Sequence, residues 1–579
     1  MESTRFYFNN RKNISQLFNR RDFLLLTLVF LVLFFFAWAG KQMATPYFIG
    51  EQIPITLNPS QLPFYAMRTV LRMFIALVIS ILFTFAVGAM AAKNRRAEQL
   101  IIPAIDILQS VPVLSFLAIT VTGFIRLFPG SMLGPECASI FVIFTSQVWN
   151  ITFSFYQSLK TVPHALREAS DMFQLSSWQR FWKVEVPFSM PGLLWNLMMS
   201  MSASWFFVVL SEAISVAHQE IRLPGVGSYI ALAIQNKSLV AVGYAILTMI
   251  IVIFIYDQIL FRPLIAWSEK FKMEQDPCET PYQSWLLNLT RNSRLMKHMH
   301  RGIKYLRSAF INNTLLSRHS KKITKVPNPS KQKQLDYLWN LFLLASIVCG
   351  GYVLINYILS ELKPSELIHV LLLGAATGTR VIILIILSSI LWIPVGVWIG
   401  LRPQISQRIQ PIIQFLAAFP ANLFYPLFVI AIVHFNLNVE IWVTPLMILG
   451  TQWYILFNVI AGASQIPRDL YQAADNFGVT GWQWWRQLAL PGIFPYYITG
   501  AITAAGGAWN ASIVAEWVSW GNTTLKATGL GEYITANTIS GDFPKIALGT
   551  AMMCLYVLVF NRLIWRPLYR LAEERFIIS

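Results

Sequence analysis

The sequence predicts an all-α integral membrane protein of about twelve crossings, laid out as two tandem halves of about six each. Three observations predict it. Of 579 residues, 55% are hydrophobic and only 12% charged, and the mean hydropathy is +0.54, which is too apolar for a soluble chain of this size. The apolar residues gather into runs long enough to cross a bilayer core, about 20 residues at a rise of roughly 1.5 Å each. The second half also repeats the first in register. Trp149, Pro163, Trp205, Glu212 and Arg262-Pro263 meet Trp453, Pro467, Trp509, Glu516 and Arg566-Pro567, each 304 residues further on.

The chain opens on a basic stretch, RFYFNNRKNISQLFNRRD, followed by an apolar run over 23–39. A retained anchor is preferred to a cleaved signal peptide. The run exceeds a usual signal core, and Gly40, Lys41 and Gln42 form no clear small-residue cleavage site. Further crossings are expected near 68–92, 101–125, 136–158, 191–217 and 238–262. With a cytoplasmic N-terminus, the basic loop KNRRAEQ and the stretch after the fourth crossing both fall inside, so charge and count agree. The second half places crossings near 337–358, 376–400, 411–433, 438–461, 494–517 and 543–565, which puts the C-terminus in the cytoplasm too. Interior prolines such as Pro112 and Pro420 leave the boundaries of their segments open.

The domains read as a first half over 1–267, a basic cytoplasmic linker over 268–336 and a second half over 337–579. Upstream, Thr69, Arg72, Pro103 and Pro112 meet Thr377, Arg380, Pro411 and Pro420 at a separation of 308, so a small length difference falls between the third and fourth crossings. An even number of crossings separates the copies, so both point the same way, as a parallel duplication about an axis along the membrane normal. In the linker, Trp285, Leu286, Leu289, Leu295, Met299, Ile303, Leu306 and Phe310 recur at loosely helical spacing among Arg291, Arg294, Lys297, Arg301, Lys304 and Arg307. An amphipathic helix on the inner leaflet and a disordered basic linker both fit.

The formal charge of +18 points to phospholipid head groups and not to nucleic acid, because the basic residues cluster at the ends of apolar segments and in the linker. Cys137, Cys278, Cys349 and Cys554 share no short spacing, and His298 and His300 have no thiol or carboxylate beside them. No disulfide framework, metal site or cofactor is expected.

Two polar stretches stand out between the apolar runs: REASDMFQLSSWQRFWKVEVPFSMP from Arg167 and YQAADNFGVTGWQWWRQLALPGIFP from Tyr471. Ala169, Asp171, Phe173, Trp178, Gln179, Pro187 and Pro191 meet Ala473, Asp475, Phe477, Trp482, Gln483, Pro491 and Pro495 in register. Such residues are not what a membrane segment supplies by default. They fit a stiff projection that a soluble partner can grip. Pro163 and Pro467 open a helical turn, Ala169 and Ala473 allow close contact, and Trp178 or the Trp482, Trp484 and Trp485 group offers apolar surface. Pro187 and Pro491 are expected to interrupt the helix before the next crossing.

This stretch resembles the cytoplasmic EAA loop of permease subunits from binding-protein-dependent ABC importers. The first copy supplies Glu168, Ala169 and Ser170 with Val184, Val186 and Pro187, but Gln174 stands where the family has glycine. The second supplies Ala473, Ala474, Gly478, Leu488, Leu490 and Pro491, but Gln472 stands where the family has glutamate. LPGVGSYI from Leu223 and ATGLGEYI from Ala527 also resemble the glycine-containing external loop of nitrate, sulfonate and taurine type permeases. The resemblance implies a duplicated permease of two type I importer halves, in which each loop is a coupling helix seated on one of two ABC ATPase subunits, with an external solute-binding protein and a small anion as cargo. It implies a bacterial or archaeal cytoplasmic membrane. The chain has no GxxxxGK[ST] phosphate loop, so it is not itself the ATPase. A twelve-helix secondary transporter is the alternative; it would share the parallel duplication but have no use for the docking loops.

For the substrate pathway, Trp205, Glu212, Trp509, Asn510 and Glu516 are the candidates, because polar groups within crossings are costly to bury. Glu212 and Glu516 lie near the outer end of their crossing, where hydration or pairing with Arg222 or Lys526 is the plainer explanation. Asn196 and Ser204 can equally cross-link helices.

Overall fold

The computed structural model describes residues 20–43, 45–47, 53–110, 113–216, 219–271, 284–312 and 329–576. Among them, eight helices are long and apolar enough to cross a membrane, and ten spans result if each of two bent helix pairs counts as one. About twelve had been expected, and the difference lies in two segments of the first half.

The run expected over 23–39 is helix α1 (Arg20–Met43), of which Val29–Met43 counts only as a shorter apolar helix. Then comes α2 (Leu62–Phe83), which continues through a π-turn at Thr84–Gly88 as far as Lys93. The segment expected over 101–125 is divided in two, as its counterpart over 403–434 is. It is α3 (Arg95–Ser110) and α4 (Leu117–Leu127), joined by a 3-10 turn at Val113–Phe116; Pro112 lies outside the described residues. Next come α5 (Leu133–Lys160), α6 (His164–Met172) and α7 (Val186–Glu212). A hairpin of β1 (Ala213–Val216) and β2 (Gln219–Arg222) pairs antiparallel. The half closes with α8 (Val226–Gln235) and α9 (Leu239–Tyr256), which extends as a span to Ser268.

In the linker region, α10 (Trp285–Asn292) and α11 (Arg294–Ile311) are helical. The second half runs α12 (Pro329–Glu361), α13 (Pro364–Gly400), α14 (Pro403–Ala418), α15 (Tyr425–His434) and α16 (Gln452–Ser464). It continues with α17 (Arg468–Asn476) and α18 (Leu490–Ala515). After these come an antiparallel hairpin of β3 (Trp517–Trp520) and β4 (Thr523–Lys526), α19 (Leu530–Ser540) and α20 (Phe543–Phe560). The stretches 403–434 and 439–464 bend by 74° and 45°. The sharper corner has a local cause. Phe419 precedes Pro420 and takes ψ of 128°, because the proline ring disfavours the helical region for the residue before it.

Each half has its own core, and the broken segments are exchanged between them. Val113 and Leu114 pack into the second half's core with Tyr425, Trp509 and Tyr533. Ala418, Phe419 and Leu423 pack into the first half's core with Met201, Trp205 and Tyr229.

Pro187 and Pro491 do not interrupt their helices. The path from Ser177 to Glu212 is one span of 36 residues, and that from Gly481 to Ala515 one of 35. π-turns at Phe181–Glu185 and Trp485–Ala489 lie immediately before these prolines. Proline has no N–H and its ring crowds the carbonyl one turn back; a wider turn relieves both without ending the helix.

Candidate functional site

The two projections share a backbone. α6 and α17 each follow a proline N-cap, Pro163 and Pro467, and end at Phe173 and Phe477. The next residue enters the left-handed region in both: Gln174 at φ 48° and Gly478 at φ 64°. The closing bonds correspond, Leu175 N–H to the Ser170 carbonyl at 3.0 Å and Val479 N–H to the Ala474 carbonyl at 2.9 Å. The glycine of the family pattern therefore marks a left-handed cap, which Gln174 adopts despite its Cβ.

The tips expose apolar surface. Met172 and Phe173 are 84% and 78% exposed, and Phe477 is 84% exposed. Glu168 is exposed and bonds His164 at 3.1 Å; Gln472 is exposed, while Ala169, Ala473 and Ala474 are half-buried and Ser170 is buried. Beyond the tips the copies differ. In the first, Ser176 and Gln179 form a reciprocal capping box and Asp171 pairs with Arg180. Trp484 takes the place of that arginine in the second copy, so Asp475 has no such pair. Trp178 is half-buried beneath Phe310 of α11, rings 5.2 Å apart, whereas Trp482 is 73% exposed. Pro187 and Pro491 are half-buried at the start of α7 and α18.

At the opposite end of α7 lies a buried charge cluster. Arg72 donates to Glu136 at 2.6 and 2.8 Å, to Glu212 at 2.6 Å and to the Pro224 carbonyl at 3.0 Å. Arg68 adds a bond to Glu136 at 2.6 Å. Thr69 donates to Glu212 at 2.6 Å and accepts from Val226 N–H at 3.1 Å. Gly227 N–H donates to Glu212 at 2.7 Å. Two arginines and two glutamates balance, and all four are buried.

The second half rebuilds the knot. Arg380 donates to Glu516 at 2.9 Å and to the Thr528 carbonyl at 2.8 Å, and it pairs with Glu440. Thr377 donates to Glu516 at 2.9 Å, and Gly531 N–H donates to Glu516 at 2.7 Å. Ala376 stands where Arg68 would be, so one arginine meets two glutamates, and the Glu440 side chain is 46% exposed. The external-loop glycines follow from this packing: a Cβ on Gly225 or Gly529 would overlap the carboxylate of Glu212 or Glu516, and one on Gly227 or Gly531 the backbone of α7 or α18. Glu136 and Glu440 were missed in the sequence reading, although they too stand 304 residues apart.

Trp205, Glu212, Trp509 and Glu516 are all buried. Glu212 and Glu516 pair with Arg72 and Arg380, not with Arg222 or Lys526. Trp205 packs edge-on against Tyr256 at 5.5 Å and Trp509 against Phe560 at 5.7 Å, each within its own half. Asn510 differs: it accepts the Val113 N–H at 2.8 Å, across the seam between halves. Asn196 and Ser204 cross-link helices, bonding Ser154 at 2.8 Å and Ser146 at 2.9 Å. Gln147 on α5 and Thr451 at the N-cap of α16, in register, carry buried polar atoms without a hydrogen-bond partner among the described residues. Among the described residues no group of three or more His, Cys, Asp and Glu side chains could hold a metal ion.

Comparison with known proteins follows the same duplication. The family model described as binding-protein-dependent transport system inner membrane component matches twice, over 84–262 and 392–571. The bicarbonate transport system permease protein CmpB of Synechococcus elongatus is 31% identical over 159 residues, 28% of this chain and 54% of that protein. The nitrate import permease protein NrtB of Leptolyngbya laminosa is 26% identical over 190 residues, 33% of this chain and 64% of that protein. The taurine transport system permease protein TauC of Escherichia coli is 25% identical over 175 residues, 30% of this chain and 62% of that protein. The chain thus spans between half and two thirds of the length of these relatives.

Proposed function

The chain belongs to the binding-protein-dependent transport system inner membrane component family, and from that premise we propose that it is a fused, two-half permease of an ATP-driven importer. Its two projections dock two ATPase subunits on the cytoplasmic side, and an external binding protein delivers a small anion to the seam between the halves. The observation that carries this reading is the pair of matched helices ending in exposed Phe173 and Phe477, with Met172 beside the first.

In this reading Glu168, Ala169, Ser170, Asp171 and Trp178 line one docking site, and Gln472, Ala473, Ala474, Asp475, Gly478 and Trp482 the other. Pro187 and Pro491 start the rigid arms that carry docking motion into α7 and α18. ATP binding draws the subunits together and favours the outward-facing state, and the loaded binding protein favours the same state; each acts through its different affinity for the two states. The anion assignment follows the named relatives. Asn510, Gln147 and Thr451 are the groups we place along the path. They are uncharged, so selectivity rests largely with the binding protein.

The test is reconstitution in vesicles with its ATPase subunit and binding protein. Phe173→Asp with Phe477→Asp is expected to abolish ATPase association and uptake while the permease stays folded. Uptake that persists without ATPase or ATP would instead establish a secondary transporter.

A further inference from the structure

The root of the first projection holds a pocket of about 160 Å³, lined by Ala92, Lys93, Leu159, Arg167, Arg180 and Glu185. Three separate parts of the chain build it. Lys93 ends the α2 span, Leu159 and Arg167 flank the turn from α5 to α6, and Arg180 and Glu185 open the path into α7. Lys93 Nζ pairs with Glu185 at 2.8 Å and lies 4.7 Å over the Phe181 ring. Arg180 pairs with Asp171, yet its Nε is buried without a hydrogen-bond partner among the described residues. Arg167 donates to the carbonyls of Leu159 and Lys160 at 3.2 and 3.3 Å, and among the described residues no carboxylate pairs with it.

The duplication supplies a control for this pocket. Lys93 corresponds to Leu401 at a separation of 308, and Arg167, Arg180 and Glu185 correspond to Tyr471, Trp484 and Ala489 at 304. None of the four counterparts is charged, and all four pack in the second half's core. The Tyr471 and Trp484 rings stand 6.5 Å apart. Opposite Ala92 and Leu159 stand Gly400 and Ala463, so close that a Cβ on Gly400 would lie 2.6 Å from that of Ala463. The same backbone therefore closes without any charge, and the charges of the first copy are not needed to form it. Lys93 and Arg180 keep 42% and 30% of their side chains exposed, so a solute can reach them.

We propose that this pocket binds a phosphate-class oxyanion through Arg167, Arg180 and Lys93. Glu185 and Asp171 each answer one cation, which leaves one positive charge in excess, on Arg167. The planar forks of Arg167 and Arg180 match the oxygens of a phosphate group, and the Lys93 ammonium adds a point charge. A bound oxyanion would tie the end of α2 to both limbs of the first projection. The second copy offers it nothing, because its matching space is filled by rings. The site needs nothing from the transport reading. Only if the projections are docking loops does the consequence follow, that an oxyanion stiffens one of them and leaves the other free.

The experiment is equilibrium dialysis of the purified full chain, in nonionic detergent and at constant ionic strength, against radiolabelled inorganic phosphate. Retained phospholipid is counted in parallel by native mass spectrometry. The wild-type chain is expected to bind phosphate saturably at a single site. Lys93→Leu/Arg167→Tyr/Arg180→Trp/Glu185→Ala, which installs the second half's own packing, is expected to abolish that binding, and Arg167→Gln to weaken it about tenfold. Arg402→Gln/Arg486→Gln, at the corresponding end of the second half, leaves it unchanged. Should the fourfold variant not fold, Arg167→Gln carries the test. Two arms separate the sources of the phosphate group. Displacement by phosphatidylglycerol and not by phosphatidylcholine assigns the site to a lipid head group; displacement by sulfate with both lipids inert assigns it to a free oxyanion. A wild-type chain that neither binds phosphate nor retains phosphatidylglycerol over phosphatidylcholine overturns the proposal. So does binding that Arg167→Gln and the fourfold variant leave intact.

Discussion

Replacing Arg72 with methionine is the sharpest probe of the buried knot. The wild-type cluster holds Arg68 and Arg72 against Glu136 and Glu212, all out of water. Arg72→Met leaves Arg68 with Glu136 and strands Glu212 on Thr69 and the Gly227 amide. Breaking a buried pair by removing one partner costs about 3–5 kcal/mol. Removing the stranded charge as well, in Arg72→Met/Glu212→Gln, returns the site to one arginine and one glutamate, and is expected to recover most of the loss. Arg380→Met should cost less: Arg72 makes two buried pairs, with Glu136 and Glu212, whereas Arg380 makes one, with Glu516, and a second with Glu440, whose side chain is 46% exposed and whose pair is worth only about 0–1 kcal/mol. The assay is thermal unfolding of the purified variants in one detergent, followed by tryptophan fluorescence. The expected order of loss is Arg72→Met, then Arg380→Met, then the double variant. A double variant no better than Arg72→Met, or equal losses in the two halves, would refute the charge-balance reasoning.

Two further outcomes follow from the backbone. Gly225→Ala and Gly529→Ala put a Cβ into the carboxylates of Glu212 and Glu516, and should lower the melting temperature in the same assay, whereas Gly243→Ala, with open space at its Cβ, should not. At the loop caps the signs oppose. Gln174→Gly should stabilise the first projection and Gly478→Ala destabilise the second, each by about 1 kcal/mol; limited proteolysis of the two loops reads both changes.

The internal repeat made more of this architecture legible than the hydropathy did. Matched residues at fixed separation located the projections, the glycine loops and six members of the buried knots, Thr69, Arg72, Glu212 and their copies. The same register contained Glu136 and Glu440, but single acids at the edges of apolar runs look like hydrated ends until an arginine from another helix is seen to reach them. Apolarity alone does not say which core a broken run joins. Residues 101–125 are as apolar as a crossing, yet Val113 and Leu114 belong to the other half's core, and no local pattern records which core a residue joins. Pro187 was misjudged for a related reason: the rule that proline ends a helix omits the π-turn, which lets the helix widen by one residue and continue.

The departures from symmetry carry the remaining argument. A duplicated chain begins with two equal halves, so each difference is a place where one copy acquired something the other lacks. The first half has the extra arginine, Arg68, that neutralises its knot, and its projection has an ion pair, a capping box and the α11 contact. The second projection has the glycine cap and an uncovered Trp482. Most of these differences brace the first half, which has additional ties at both ends of α7. In the proposed assembly, two ATPase subunits of identical sequence would meet unlike partners. The first projection has an ion pair and the α11 contact that the second lacks, so less side-chain freedom is lost when it docks, and the second projection should bind the more weakly of the two.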